Sequence, residues 1–214
     1  MAKRRAAWFG FLLMMCGFLS SATFAADGQV RETGNVVRLK PAYRFERSKW
    51  IYVHLEGSPA DIGYQHGYLL APEIADGFNT VKFRDTHRTK RDWDFYRNVA
   101  KTILWPKIDA EYQQELQGIA DGLKAHGVNM DVWDVVALNA MEEVPDYYVP
   151  WLDKQEKRTD APKLTAPGNC SAFVATGSMT KDHTPVIAHS NWSDFPTGSR
   201  WTIVFDIVPT HGYH

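Results

Sequence analysis

Cys170 is the residue of this 214-residue chain that is best suited to nucleophilic chemistry. The other cysteine, Cys16, lies in an apolar N-terminal stretch that we interpret below as a removable signal. If the bond after Asn169 were severed, Cys170 would carry a free α-amine, which titrates near neutral pH and can accept the thiol proton directly or through one water. Nucleophile and base would then share one residue. The alternative is that Cys170 is a small buried hydrophobic residue.

The thiol could sever that bond itself, by attacking the carbonyl of Asn169 and passing through a thioester that water hydrolyses. An acyl transfer also needs hydrogen-bond donors for its oxyanion. His189 and Asn191 stand at the end of a second predicted strand, which antiparallel pairing places beside the start of the first. The alternative is that these two side chains only satisfy a turn. We predict that Cys170, His189 and Asn191 are catalytic, and that Ser171, Trp192 and Asp194 lie in the substrate or oxyanion region.

Strands are predicted throughout the part of the chain that begins at Cys170. Residues 170–176 alternate between polar and apolar types, residues 177–183 are rich in turn formers, and residues 185–188 predict a second strand. A third strand is predicted over residues 200–208. We expect these strands to form a β-meander that opens at the cysteine.

The chain before Cys170 is predicted to be mostly helical. Residues 50–55 predict a strand, and Ser58 followed by Pro59 is typical of a helix start. That helix is expected over residues 59–81, and Gly63 and Gly67 on one face favour close packing of two backbones over contact with a substrate. Further helices are predicted over residues 92–104, 106–126 and 130–141, with an irregular leader at 27–48 and an exposed linker at 152–168.

The N-terminus has the pattern of a secretory signal. Lys3, Arg4 and Arg5 precede an apolar stretch over residues 6–19, and Thr23-Phe24-Ala25 fits a signal-peptidase site. We expect residues 1–25 to be removed and the mature protein to be secreted, periplasmic or lumenal. A retained anchor is the alternative.

The overall charge and the histidine spacing argue against several functional classes. A net charge of −1 gives no broad attraction to nucleic acid. The histidine pairs His183/His189 and His211/His214 lack accompanying ligands at metal-binding spacing, so neither a metal nor a cofactor is expected. The expected partner is a small acyl-amide or a lipid, with transient contact at a membrane surface as a further expectation. The oligomeric state stays open.

Two segments around the cysteine resemble a known family of enzymes. The segments GNCSAFVATG and IAHSNW, at residues 168–177 and 187–192, are similar to the autoproteolytic acyltransferases and hydrolases typified by isopenicillin N acyltransferase. They resemble even more the related phospholipase B-like proteins, in which Cys-Ser-Ala opens the mature subunit. Segments at residues 62–67, 116–122 and 137–140 resemble the pro-segment of the same family.

The resemblance implies an α+β fold, the αββα sandwich of N-terminal nucleophile hydrolases, preceded by a mostly helical pro-segment. It also implies self-cleavage between Asn169 and Cys170, followed by amide or ester cleavage through a cysteine thioester. The acyltransferases tend to carry an Asp where this chain has Ser193, with Asp194 one position later. This departure weakens the case for aminoacyl-transfer specificity.

The expected domain plan is a signal peptide at 1–25, a helical segment and linker at 26–169, and the start of the nucleophile-bearing sheet at 170–214. Two packed sheets with covering helices need on the order of 150 residues, so we expect the sandwich to be incomplete in this chain, which the resemblance suggests is truncated at its C-terminus.

Two other functions remain open from the sequence. One is a phospholipase B-like lipid deacylase on the same scaffold. The other is a non-catalytic exported binding domain, because Asn169 and Asn191 also lie in glycosylation sequons.

Overall fold

Two groups of strands and seven α-helices make up the part of the chain that the computed structural model describes, which is residues 36–163, 170–192 and 194–212. The predicted signal peptide, Asn169 and Ser193 lie outside these residues. The strands are β1 Val37–Leu39, β2 Ala42–Arg47, β3 Trp50–Gly57, β4 Ser171–Ala175, β5 Val186–Ser190 and β6 Ile203–Pro209. The helices are α1 Pro59–Leu69, α2 Ala71–Thr89, α3 Trp93–Val99, α4 Ala110–Ala125, α5 Val132–Asn139, α6 Val149–Gln155 and α7 Phe195–Gly198.

The predicted strand at residues 50–55 is confirmed as β3, which lies inside a four-stranded sheet of order β1-β2-β3-β6. The prediction of an irregular leader is wrong for residues 37–47, which form β1 and β2. Antiparallel pairing of β1 with β2 and of β2 with β3 overrides their polar composition, and aromatic rings stack between β2 and β3. The rings of Phe45 and Tyr52 lie 5.1 Å apart, and those of Tyr43 and His54 lie 5.0 Å apart.

The third predicted strand of the C-terminal part forms, but not in a meander. β6 joins the other sheet and runs parallel to β3, from Ile51 opposite Ile203 to Gly57 opposite Pro209. β4 and β5 remain as a separate antiparallel pair. Alternation in a sequence indicates a strand without naming its partner, so only the tertiary structure could decide this pairing.

Ser58 begins α1 as predicted. Its hydroxyl accepts a hydrogen bond from the Asp61 backbone N–H, and the Asp61 carboxylate accepts one from the Ser58 backbone N–H. The predicted helix over residues 59–81 is interrupted at Leu70, however, and a second helix continues from Ala71 to Thr89. Pro72 accounts for the break, because it has no N–H to continue the hydrogen bonding of α1 and lies in the first turn of α2, where that N–H is not needed.

Helices α1 and α4 pack with their backbones in close contact. A Cβ atom added at Gly67 would lie 2.0 Å from the carbonyl oxygen of Ile119, and one added at Gly122 would lie 2.1 Å from that of Tyr64. Gly63 and Gly118 are equally enclosed. The packing interpretation of the helical glycines is therefore confirmed.

Helices α3, α4 and α5 follow the predicted order with shifted bounds, whereas α6 and α7 were not predicted. A π-helical turn at Ala100–Leu104 extends α3, and a 3-10 turn at Trp105–Lys107 occupies the predicted start of the next helix. Ile108 is extended, so α4 begins only at Ala110. α6 runs to Gln155 and shortens the predicted linker. Leu55, Leu70, Leu123 and Val149 are fully enclosed in the core between the sheet and these helices.

The β4–β5 hairpin is exposed at nearly every position. Phe173 is 59% exposed and Ile187 is 70% exposed, which is unusual for apolar residues within strands. The described chain thus has a mixed α+β fold, as predicted.

Candidate functional site

The candidate site lies at the open end of the β4–β5 hairpin. The register pairs Ser171 with Ser190 and Ala172 with His189. Continuing the register by one residue places Cys170 opposite Asn191. The prediction that the end of the second strand lies beside the start of the first is confirmed.

Cys170 and Asn191 are in contact across the hairpin. The Sγ atom of Cys170 lies 3.6 Å from Oδ1 of Asn191, so the thiol donates a hydrogen bond to the side-chain amide. Both residues are exposed, and Cys170 is a free thiol. The thiol is therefore accessible, and the alternative of a buried hydrophobic cysteine is wrong for the described chain.

His189 lies on the same face of the hairpin as Cys170 and Asn191. Directly opposite residues share a face in an antiparallel pair, and residues two apart on one strand share it too. His189 is thus the diagonal neighbour of Cys170, a relation that places Cα atoms roughly 7–8 Å apart. Ser171 lies on the opposite face, paired with Ser190. The predicted role of Ser171 in the substrate region gains no support from this placement.

Asp194 interacts with Thr197 of α7 and with Arg84 of α2. Its carboxylate caps α7 by accepting from the backbone N–H of Thr197 at 2.9 Å, and it lies 2.6 Å from Nη1 of Arg84. Partial burial opposes ionisation of Asp194, but the hydrogen bonds from Thr197 and the charge of Arg84 lower its pKa below the ordinary value. Asp194 is therefore a carboxylate at neutral pH, held against α2.

Trp192 follows β5 and is 67% exposed. It adjoins Asn191 in the chain. Phe195 is exposed as well, and so are the apolar side chains of Phe173, Val174 and Ile187 in the hairpin.

Arg84 is the residue near this site that sequence analysis missed. It lies on α2, 110 positions before Asp194, in a stretch of ordinary helical composition. Arg84 comes near the hairpin only because α2 and α7 are in contact in the folded chain. No signal in the sequence separates Arg84 from other helical arginines.

A small cavity lies among α1, α2, α4, α5 and Trp201. Its volume is about 170 Å³, and its lining is apolar except for His66, Asn139 and the indole of Trp201. Removal from water lowers the pKa of His66 to about 4, because the charged imidazolium loses its hydration there. His66 is therefore neutral at physiological pH. The cavity is separate from the hairpin face that carries Cys170.

Within residues 36–163, 170–192 and 194–212, no cluster of three His, Cys, Asp or Glu side chains is arranged to hold a metal ion. No helix in this part of the chain is both long and apolar enough to cross a bilayer.

No family model matches the chain. It is similar to a protein of Archaeoglobus fulgidus described as uncharacterized, with 28% identity over 148 residues. The match covers 61% of this chain and 22% of that relative, so the chain spans about a fifth of the relative's length. This similarity assigns no activity.

Proposed function

We propose that this protein is a cysteine N-terminal nucleophile hydrolase or acyltransferase, made active by self-cleavage between Asn169 and Cys170. The observation that carries the proposal is the 3.6 Å contact between the exposed thiol of Cys170 and the amide of Asn191. The accessible thiol of Cys170 lies immediately before β4, opposite the side-chain amide of Asn191, which could stabilise negative charge. Export through the predicted signal peptide is part of the same proposal.

Self-cleavage begins when His189 takes the thiol proton through a bridging water, and the thiolate attacks the carbonyl carbon of Asn169. The C–N bond before Cys170 then breaks, and its nitrogen gains a proton to become a free amine. Water hydrolyses the resulting thioester, giving a carboxylate at Asn169 and restoring the thiol. In later turnovers the amine of Cys170 is the base, and an amide or ester substrate supplies the acyl group.

Asn191 contributes through its side-chain amide. The thiol donates to Oδ1 in the resting arrangement, whereas an oxyanion requires a donor. Rotation of the amide by half a turn presents Nδ2, with two N–H donors, at nearly the same position. One side chain can therefore hold the neutral thiol and then the negatively charged intermediate.

Mass spectrometry of the full chain tests the proposal. We expect the wild type to yield a new N-terminus at Cys170, and Cys170→Ala to remain uncut. Cys16→Ala is the matched control, because it removes the other thiol and should leave cleavage unchanged. A wild type that stays uncut under conditions where it is folded would refute the proposal and favour a non-catalytic binding domain.

A phospholipase B-like lipid deacylase is the second candidate, and the exposed apolar surface around the thiol favours it. Val174 and Ile187 are paired on the face of the hairpin that carries Cys170, and they are 62% and 70% exposed. Apolar groups at a site entrance suit an acyl chain or a membrane surface better than a polar amide. Release of fatty acid from phospholipid vesicles, compared with release from soluble acyl-amides by the same cleaved protein, separates the two substrate classes.

A further inference from the structure

The hairpin that carries the candidate site has little support of its own. Its two strands pair with each other, and their side chains are exposed on both faces except at Ala175, which is half-buried. A two-stranded hairpin in water is marginally stable at best. The separation of Cys170 and Asn191 must therefore depend on where the flanking chain is attached to the folded body.

That attachment is a polar junction centred on Arg84. Its Nη1 donates to Asp194 at 2.6 Å and to the Thr197 hydroxyl at 2.7 Å. Thr197 is only 4% exposed, so this end of α7 is seated in the body.

The other guanidinium nitrogens of Arg84 are held by the helical body. Nε and Nη2 donate to the buried carboxylate of Asp85 at 2.8 and 3.2 Å, and Nη2 also donates to the backbone carbonyl of Met141 at 3.3 Å. On one side, Arg84 is thus held by Asp85 of α2 and by the backbone of Met141, just after α5. On the other side, it hydrogen-bonds to Asp194 and Thr197 in the segment after β5. A planar guanidinium can donate hydrogen bonds to both sides at once, whereas a lysine ammonium lacks this forked arrangement of donors.

We infer that Arg84 is a positioning residue for the candidate site, which sets Asn191 opposite Cys170 by holding Asp194 and Thr197. Two residues separate Asn191 from Asp194, and a chain of that length spans at most about 10 Å. Fixing Asp194 therefore keeps Asn191 within that distance of the junction with α2. The inference rests on the proposed function for its catalytic consequence, but the geometric consequence stands without it.

Arg84→Lys is the test variant, because it keeps the charge and removes the fork. Arg44→Lys is the matched control, since Arg44 also holds a carboxylate, that of Glu73, through two bonds of 2.9 Å and is 12% exposed. We expect Arg84→Lys to slow appearance of the Cys170 N-terminus at least tenfold, and Arg44→Lys to change it less than twofold. Thermal unfolding of both variants reports any general loss of stability.

Hydrogen exchange provides a second measurement that does not depend on cleavage. In the Cys170→Ala background, Arg84→Lys should speed exchange of the backbone amides of residues 186–192 at least fivefold, while Arg44→Lys leaves them unchanged. Asp194→Asn, which leaves α2 intact, takes the place of Arg84→Lys if that variant does not fold.

The outcomes separate this inference from the proposed function. If the wild type is never cut, the proposed function fails, and exchange alone decides the role of Arg84. If the wild type is cut and Arg84→Lys is cut equally fast, the positioning role is overturned while the proposed function stands. Unchanged exchange at residues 186–192 overturns the positioning role in either case.

Discussion

In the proposed reaction Asn191 is the side chain in direct contact with the thiol of Cys170. We expect Asn191→Ala to slow self-cleavage by about 100-fold or more, the usual effect of removing one oxyanion donor. Time-resolved mass spectrometry of the cleaved product measures this. Ser190→Ala is the control, because Ser190 lies on the opposite face of the hairpin, paired with Ser171. Equal rates for Asn191→Ala and the wild type would exclude Asn191 from the reaction.

His66 is expected to make stability depend on pH. Its pKa is lowered to about 4 in the folded chain, whereas a histidine in the unfolded chain titrates near its ordinary value of 6.5. Between these values only the unfolded chain binds the proton, so stability falls as pH falls through this window and is unaffected above it. The loss attributable to His66 is about 3 kcal/mol at most between pH 6.5 and 4.

Denaturant unfolding at several pH values measures that loss. We expect His66→Gln to flatten the dependence of unfolding free energy on pH between 4 and 6.5. His87→Gln is the control, because His87 is exposed on α2. The same slope in wild type and His66→Gln would show that His66 is not the responsible group.

At the scale of elements, the contact between α1 and α4 leaves no room for a side chain on either helix. Gly67→Ala would place a Cβ atom 2.0 Å from a backbone oxygen of α4, so the helices must separate. We expect a loss of about 3 kcal/mol in unfolding free energy, at the upper end of ordinary overpacking.

Gly77→Ala is the matched comparison within a helix. Its Cβ would meet only the ring edge of Trp201, at 3.0 Å, and a side chain can shift where a backbone cannot. The gain in helix propensity, about 1 kcal/mol, offsets the contact. We expect a net change within about 1 kcal/mol by denaturant unfolding. Similar losses for the two variants would argue against the backbone contact as the cause.

At the scale of the whole molecule, the segment after Cys170 is joined to the segment before it by more than the peptide bond. β6 pairs with β3 over seven residue pairs, from Ile51 with Ile203 to Gly57 with Pro209. Ion pairs between Arg84 and Asp194, and between Arg200 and Asp76, also cross the junction. A cut between Asn169 and Cys170 leaves all of these contacts in place.

We therefore expect the two pieces to stay associated after cleavage. They should elute together from a size-exclusion column in native buffer and separate only in denaturant. A protease site introduced between residues 163 and 170 makes the same test without self-cleavage, with uncut Cys170→Ala as the reference. Two native peaks after the cut would contradict the expectation.

Local sequence signals predicted the elements whose formation depends on neighbours along the chain. Ser58 and Pro59 located the start of α1, Gly63 and Gly67 indicated close packing, alternation located β3 and β4, and residues 185–188 predicted β5. The pairing of β4 with β5 also followed, because a short connection favours an antiparallel hairpin. That pairing was enough to bring Cys170 and Asn191 together.

Contacts between distant residues escaped prediction. The parallel pairing of β6 with β3 and the contact of Arg84 with Asp194 depend on which surfaces meet after folding. Composition and periodicity describe one segment by itself. These features arise instead from burial and charge pairing between residues far apart in sequence, such as His54 and Asp206, which are 152 positions apart.

The sequence by itself determined the candidate nucleophile, its amide neighbour and the hairpin that joins them, because hydrogen-bond register acts over a short length of chain. The tertiary structure alone decided that β6 completes the N-terminal sheet and that α2 holds the end of the hairpin. Those contacts form only when burial of the shared core brings remote segments together, and no local pattern encodes the partner.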